Sequence, residues 1–591
     1  MDYTDFSSSP EGSKKKKENH KKWWTLEGAA VARAVKDDLN NLYSAQFTRI
    51  NQLALWARYY GSRDLLNNFM LFVAPSNRMP SATNERLKFN VVQSAIDTIT
   101  SKISKNKPRP FYETAGGDWS AQQRAKRMTR FMEGLFLEQK IKHLAPTAVR
   151  NSAIFGDGII YEYIDATEKK MHWETVLPHE IWVDEVEAAY GFPRTLHRIK
   201  TIDRESLIEL FPDFEEAIMH APNAAILARH AVSSIADLVS VAESWHLGES
   251  VDVPGRRVIT IENHLLEDQP YKLQRFPFVR FQWNPRPFGY WSQGAAEQLS
   301  PIQLELNKTF AGIQRAHDLC GKSLILCPAE AEVVESHFTN DIGTIISYVG
   351  GNKPEYVTPA ALNSEVYQYA KMLIAQAYEQ IGVSQLSAGS KKPDGLDSGK
   401  ALREYNNIET ERFMTIGEAY EDFHIDLASL SSDLFREYVG KNHYKIKIPG
   451  SLCGDILDWQ DIKMDEQDYI LNCYPVSSLP QDVSGRLQTV QEFMQSGLYS
   501  RRTAKKLLSL PDIDAVDSLE SATDSYVHKM LDRIIEEGIG FVPEPYDDLN
   551  LIRELTLQYY ARGKTSDLPE DKLQLLRDII DAVQEMQDKA A

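Results

Sequence analysis

The sequence is short of cysteine: Cys320, Cys327, Cys453 and Cys473 are the only four in 591 residues, and none forms a Cys-x-x-Cys pair. A disulfide framework is excluded, and a reducing site of synthesis is expected. No apolar run approaches about 18 residues, and the polar start MDYTDFSSSPEGSKKKKENHKKWW has no signal-type apolar core. Neither export nor membrane insertion is therefore expected. Positive charge is also lacking: 66 Lys and Arg stand against 84 Asp and Glu, a formal charge of -18. Tight gripping of phosphate over the whole surface is disfavoured. The 14 histidines form no His-Glu-x-x-His, Cys320 and Cys327 have no partner pair, and no Gly-x-Ser-x-Gly occurs. Zinc sites, metalloprotease chemistry and a nucleophile elbow fall away, and no metal or cofactor is expected.

Globular content is present. Hydrophobic residues make up 42% and charged residues 25%, values of a folded protein rather than a disordered one. The length suggests about four domain-sized units. One segment resembles a nucleotide site: AHDLCGKS, Ala316 to Ser323, fits a relaxed phosphate-binding loop with Ala in place of the first Gly. A true P-loop follows a strand and opens a helix, whereas this one ends a helical pattern and leads into an apolar strand. RGKT, Arg562 to Thr565, lacks the upstream Gly and also follows a helix. The alternative of a nucleotide-dependent DNA-handling enzyme, with Lys322 at its phosphate site, therefore has little support, and no enzymatic activity is expected.

The chain is organised around Gly289 to Pro449. Ala295, Leu299, Ile302, Leu306, Phe310, Ile313 and Ala316 recur at helical spacing, and from Leu362 the positions Val366, Tyr369, Leu373, Ala377 and Ile381 do the same. Between these two rods, Leu324 to Cys327 and Ile345 to Val349 read as strands. A third stripe runs from Leu402 to Tyr438 with no proline between Pro393 and Pro449. As one helix it would be roughly 55 Å long. Two rods and an outsized helix are poorly served by a lone globule, and neighbouring copies under rotational symmetry would cover their second faces.

Before this region, residues 1–22 form a polar arm with Lys14 to Lys17, Lys21 and Lys22. It reads as a solvated arm whose like charges repel, with contact to DNA or an acidic neighbour as the sharper alternative. Helical patterns cover Leu26 to Phe72, Asn84 to Ile103, Ser120 to Lys140 and Ala145 to Phe155. Strands are expected at 159–165, His172 to Val176, Ile181 to Asp184, Arg194 to Ile199, Val241 to His246, Arg257 to Asn263, Tyr271 to Arg275 and Phe278 to Trp283. Arg204 to Val239 reads as helical between them. Tyr444 to Ile448 and Asp468 to Tyr474 read as returning strands. The remainder from Ser484 is helical, and its last helix carries the stripe Leu573, Leu576, Ile580, Val583 and Met586 after Pro569. The fold class expected is α+β.

GYWSQGAAEQLSPIQLELNK opening the first rod, LSAGSKKPDGLDSGKALREY before the long helix, and NSAIFGDGIIYEYID with VLPHEIWVDE upstream resemble the portal proteins of tailed bacteriophages. The resemblance implies a basic arm at 1–25, an α+β wing at 26–294, stem helices at 295–319 and 362–383, and a small β-containing clip at 320–361. It further implies a tunnel loop at 384–399, the long helix with returning wing strands at 400–483, and a helical crown at 484–591. It also implies a homo-oligomeric ring, a dodecamer, at one capsid vertex of the virion. Double-stranded DNA would pass through it during packaging and ejection, and the subunits would be made in the host cytoplasm. The implied partners are the terminase large subunit, a neck or tail adaptor, and the major capsid and scaffolding proteins, with no membrane. Ser390, Lys391, Lys392, Asp394 and Asp397 would line the channel. A collar of lysines makes exchangeable, salt-screened contacts with phosphate, although a solvated surface loop would look the same. His337, Asn340, Asp341, Asn352, Lys353 and Glu355 are the clip's candidates for partner docking, where an ordinary hairpin is equally compatible.

Overall fold

A computed structural model describes residues 22–61, 89–105, 107–114, 119–165, 169–223, 237–250, 253–320, 324–326, 355–357, 363–383, 413–439, 443–448, 456–462, 469–473, 491, 494–495, 522–544, 546–565 and 568–590. The protein is mixed α+β, 58% helix, with several small antiparallel sheets. In chain order the described elements are α1 (Ala29–Gly61), α2 (Val91–Ile103), β1 (Pro110–Glu113), α3 (Trp119–Glu138), α4 (Ile141–Phe155), β2 (Asp157–Ile164), β3 (Met171–Val176), β4 (Ile181–Trp182), β5 (Thr195–Asp203), α5 (Arg204–Leu210) and α6 (Glu215–His220). There follow β6 (Leu238–His246), β7 (Gly255–Ile261), β8 (His264–Tyr271), β9 (Phe278–Gln282), α7 (Ala295–Cys320), β10 (Leu324–Leu326), β11 (Glu355–Val357) and α8 (Ser364–Ile381). The last are α9 (Met414–Leu434), β12 (Lys445–Lys447), β13 (Ile456–Asp458), β14 (Ile470–Cys473), α10 (Ala522–Glu537), α11 (Leu549–Thr565) and α12 (Glu570–Ala590).

Two compact units share these elements. The first comprises Met1–Pro80, Leu177–Phe276 and Arg286–Trp291, and the second Ser81–Val176, Pro277–Pro285 and Ser292–Ala591. The stretch 26–294, read from sequence as one wing, therefore contributes to both.

In the first unit a five-stranded sheet has the order β4-β5-β6-β7-β8. Trp182, His197, Ser244 and Val258 stand in register across four strands, as do Ile199, Ala242 and Thr260 across three. That face carries α1, whose Val31, Val35, Leu39 and Ile50 are buried at helical spacing, and the turn of Trp23, which is fully buried. Arg256 fastens this turn by donating to the carbonyls of Trp24 and Leu26, while Asp268 accepts from its Nε at 2.9 Å. On the opposite face Val239, Val241, Ile259 and Ile261 pack with Leu207 of α5 and Ile218 of α6. Two expectations change here. Pro212 breaks the helical stretch expected from Arg204, leaving α5 and α6 short before β6 begins at Leu238. The strand expected at Tyr271 to Arg275 instead occupies β8, because the chain turns back directly after Glu262, at φ 39°. β8 is an edge strand, where the N–H that Pro270 lacks is not missed.

In the second unit α4 and α9 pack on the three-stranded sheet β3-β2-β9, and α7 packs on α4. β1 pairs with β14, bringing residues far apart in sequence together, and β12 pairs locally with β13. The expected returning strands at 444–448 and 468–474 are thus present as β12 and β14, while β13 is additional. Near the C-terminus α10, α11 and α12 bury Val527, Leu531, Ile552, Leu576, Ile579 and Val583 as a three-helix cluster. Ile579 is buried where Ile580 was expected to be, and Ile580 is half-buried beside it. The helices expected at 486–496 and 501–508 lie outside the described residues, apart from the isolated positions 491 and 494–495.

Candidate functional site

The region that sequence singled out starts from a buried polar knot. Asp157 is fully buried between Gly156 and Gly158; its Oδ2 accepts from the Ser292 N–H at 2.9 Å and its Oδ1 from the Ser292 hydroxyl at 3.1 Å. Arg280 lies 3.8 Å from the same carboxylate. The glycines are required by contact: a Cβ on Gly158 would fall 1.9 Å from the Ala148 carbonyl, and one on Gly156, already at φ +99°, 2.1 Å from that of Ser292. FGDG and WSQG, more than a hundred residues apart, thus meet where α7 begins.

From this knot α7 runs roughly 39 Å and α8 returns beside it for roughly 27 Å. The halves nearest the knot are covered: Ala295, Ala296, Leu299, Gln303 and Leu306 of α7 and Leu373, Ala377 and Tyr378 of α8 are buried. Both helices pack on α2. The far halves are only partly covered, Ala370 of α8 being buried there. Beyond Leu306 only Ile313 of α7 is buried among the described side chains, and Tyr367, Tyr369 and Met372 of α8 are exposed. The two far halves are joined by the Tyr367 hydroxyl and His317 at 2.9 Å, and then by the antiparallel β10–β11 pair, Leu324 opposite Val357.

β10 matches the first strand expected for the insert, whereas its described partner is Glu355–Val357; Ile345 to Val349 lie outside the described residues. Glu355 stands opposite Leu326. His337, Asn340, Asp341, Asn352 and Lys353 lie outside the described residues, as do Ser390, Lys391, Lys392, Asp394 and Asp397. The structure does describe the residues that lead into that loop. α8 stops at Gly382, φ +81°, whose N–H and that of Val383 both return to the Tyr378 carbonyl, a left-handed helix end that glycine favours. Tyr378 donates to Ser94 of α2. Where description resumes after residue 412, the Phe413 ring lies under Lys102 of α2 at 6.0 Å. Tyr378 and Phe413, on either side of residues 384–412, thus both contact α2, at residues roughly 12 Å apart along its axis.

The third helix departs from the expectation of an outsized rod with an uncovered face. Its described part, α9, is roughly 32 Å long and continues as a π-turn over Phe435–Val439. Tyr420, Phe423, His424, Leu427, Leu430 and Leu434 are buried within its own unit. Ser431 donates to Glu162 of β2 at 2.6 Å, and Ser432 shares a 2.8 Å hydrogen bond with the Tyr112 hydroxyl. Burial holds His424 down at about 4 and raises the phenols of Tyr112 and Tyr420. Residues 402–412 lie outside the described residues.

In the AHDLCGKS segment α7 runs through Cys320 and β10 begins at Leu324, so helix precedes strand, opposite to the order of a phosphate-binding loop. Among the described residues no helix is long and apolar enough to cross a membrane, and no group of acidic, His or Cys side chains could hold a metal ion. Sequence reading missed Gln303, which is buried on α7, accepts from the Val91 N–H and donates to the Phe89 carbonyl. A glutamine on an otherwise apolar helical face was the available signal. The chain matches no protein-family model and no curated protein.

Proposed function

We propose that this chain is a portal-type subunit: copies stand side by side in a ring through which double-stranded DNA passes into and out of a phage capsid. The reading rests on one observation, the α7–α8 hairpin whose far half leaves Tyr367, Tyr369 and Met372 exposed while its near half is fixed in the core. A sister subunit would cover those side chains, as rotational symmetry allows. The loop after α8 would face the duplex, with Lys391 and Lys392 as exchangeable phosphate contacts. The β10–β11 end would be the docking point for the terminase large subunit during packaging and for the neck or tail adaptor afterwards. The ring would sit among major capsid and scaffolding proteins at one vertex. Energy for movement would come from the terminase, this chain supplying no catalytic step. Because the described part of α9 is covered within its own unit, the ring contacts rest on α7 and α8 rather than on that helix.

Electron microscopy and native mass measurement of the purified full chain test this. Rings with an opening roughly the width of duplex DNA are expected; a monomer at every concentration tried would overturn the reading.

A further inference from the structure

Four of the first unit's most exposed apolar side chains lie on two tied segments. Val186, Tyr190, Phe192 and Phe288 are 86, 84, 87 and 75% exposed. Their base is fixed: Ala188 is buried, its N–H donates to the Asp184 carbonyl at 2.8 Å, and the Gly289 N–H ties the second segment to the Ala189 carbonyl at 3.0 Å. Behind them Gln46 of α1 donates to the Val183 carbonyl, and the Arg49 guanidinium lies 3.9 Å from the centre of the Trp291 ring. At roughly 150–250 Å² per aromatic side chain, three rings and a valine offer on the order of 500 Å² of apolar surface. That reaches the size at which patches on monomers tend to be functional, and is more than half of the roughly 800 Å² that one partner brings to a standard interface. A protein rather than a small molecule is the occupant such an area suits.

The same unit carries a receptor. Between α1 and the sheet is a cavity of about 130 Å³, walled by Leu39, Tyr43, Trp182 and Ile199, with the buried Ser240 and Thr260 on its sheet side. Lys36 and Glu262, paired at 3.1 Å, line it where it meets solvent. Engineered cavities of about 150 Å³ accept benzene, so one aromatic ring fits. The two hydroxyls give a phenol oxygen a hydrogen-bonding partner that a phenylalanine ring could not use.

We propose that Tyr190 of one copy seats in the cavity between α1 and the sheet of the next copy, with Val186, Phe192 and Phe288 packed around its mouth. One contact then covers both the bare rings and the open cavity. Each copy gives a ring and receives one, a head-to-tail arrangement that closes when the rotation closes. The proposal deepens the ring reading and rests on it.

The test uses the full chain. Tyr190→Ser with Phe192→Ser should leave the circular dichroism unchanged, since both side chains are exposed, and should raise the concentration for half-assembly at least about tenfold, the change expected for one lost hot-spot anchor. Coexpressed Tyr190→Cys and Asn40→Cys chains, Asn40 lying beside the cavity, should cross-link to each other under oxidation, and neither chain should do so alone. Rings that persist in the double serine variant without that cross-link would overturn this contact, assigning the patch to another protein while the ring reading stands. A wild-type chain that never assembles would sink the contact and the ring reading together.

Discussion

Replacing Asp157 with alanine tests whether the knot at the start of α7 holds the hairpin in place. The carboxylate is fully buried and accepts two hydrogen bonds from Ser292, one of them from the backbone N–H. Hydrogen bonds to a charged group are worth about 1.5–3 kcal/mol each, and a buried donor stripped of its acceptor keeps its desolvation cost. Breaking a buried charged pair costs about 3–5 kcal/mol, so a local loss of about 3–4 kcal/mol is expected. The chain has two compact units, so a single unfolding free energy would mix them. Amide hydrogen exchange is the better assay. Protection at Ser292 and Gln298, whose N–H returns to Gly294, should fall roughly 100- to 1000-fold, while α12 is unaffected. Asp157→Asn keeps one acceptor oxygen and should lose about half as much free energy. Unchanged exchange at Ser292 and Gln298 in the alanine variant would refute the argument that this carboxylate anchors α7.

The other predictions probe separate parts. Arg204 is buried and donates to the carbonyls of Ile218 and Ala221 and to Asn223; Arg204→Lys keeps the charge but not the planar fork, and should cost about 2 kcal/mol, read as faster exchange in α5 and α6. His424 is held at about 4 by burial, against an ordinary value of 6.5. The unfolded chain therefore takes up the proton first, so stability from the neutral ring is fully present above about pH 6.5 and is lost as pH falls toward 4, by about 3 kcal/mol. His424→Phe should flatten the fall in urea midpoint between pH 7 and 4.5, and an unchanged slope would show that other groups carry it. Tyr369→Ser with Met372→Ser alters exposed side chains, so unfolding should shift by less than about 0.5 kcal/mol while assembly weakens; intact assembly would remove the hairpin from the subunit contact. Lys391→Glu with Lys392→Glu should leave rings intact and change the length or retention of packaged DNA, and a failure to assemble would make the loop structural.

The departures between pattern and fold have physical causes. A helix with one buried stripe announces itself in a single stretch of sequence, and α7, α8 and α12 do so. Short strands do not: β11 has three residues, and β8 contains Pro270 and two acidic residues that only an edge position tolerates. The stripe of α9 showed which face is buried, but not that β2 and β9 of its own unit would bury it. Tyr190 and Phe192 belong to no periodic stripe, and it is the turn burying Ala188 that leaves both exposed.

The sequence by itself determined the α+β class, the positions of the periodic helices, and the absence of any membrane-length apolar run, because each follows from spacing along the chain. Tertiary structure alone decided that FGDG meets WSQG around Asp157, that Tyr378 and Phe413 both rest on α2, and that a ring-sized cavity opens between α1 and the sheet. Those facts depend on contacts between residues far apart in sequence, whose partners are chosen by shape and hydrogen bonding after the local elements have formed.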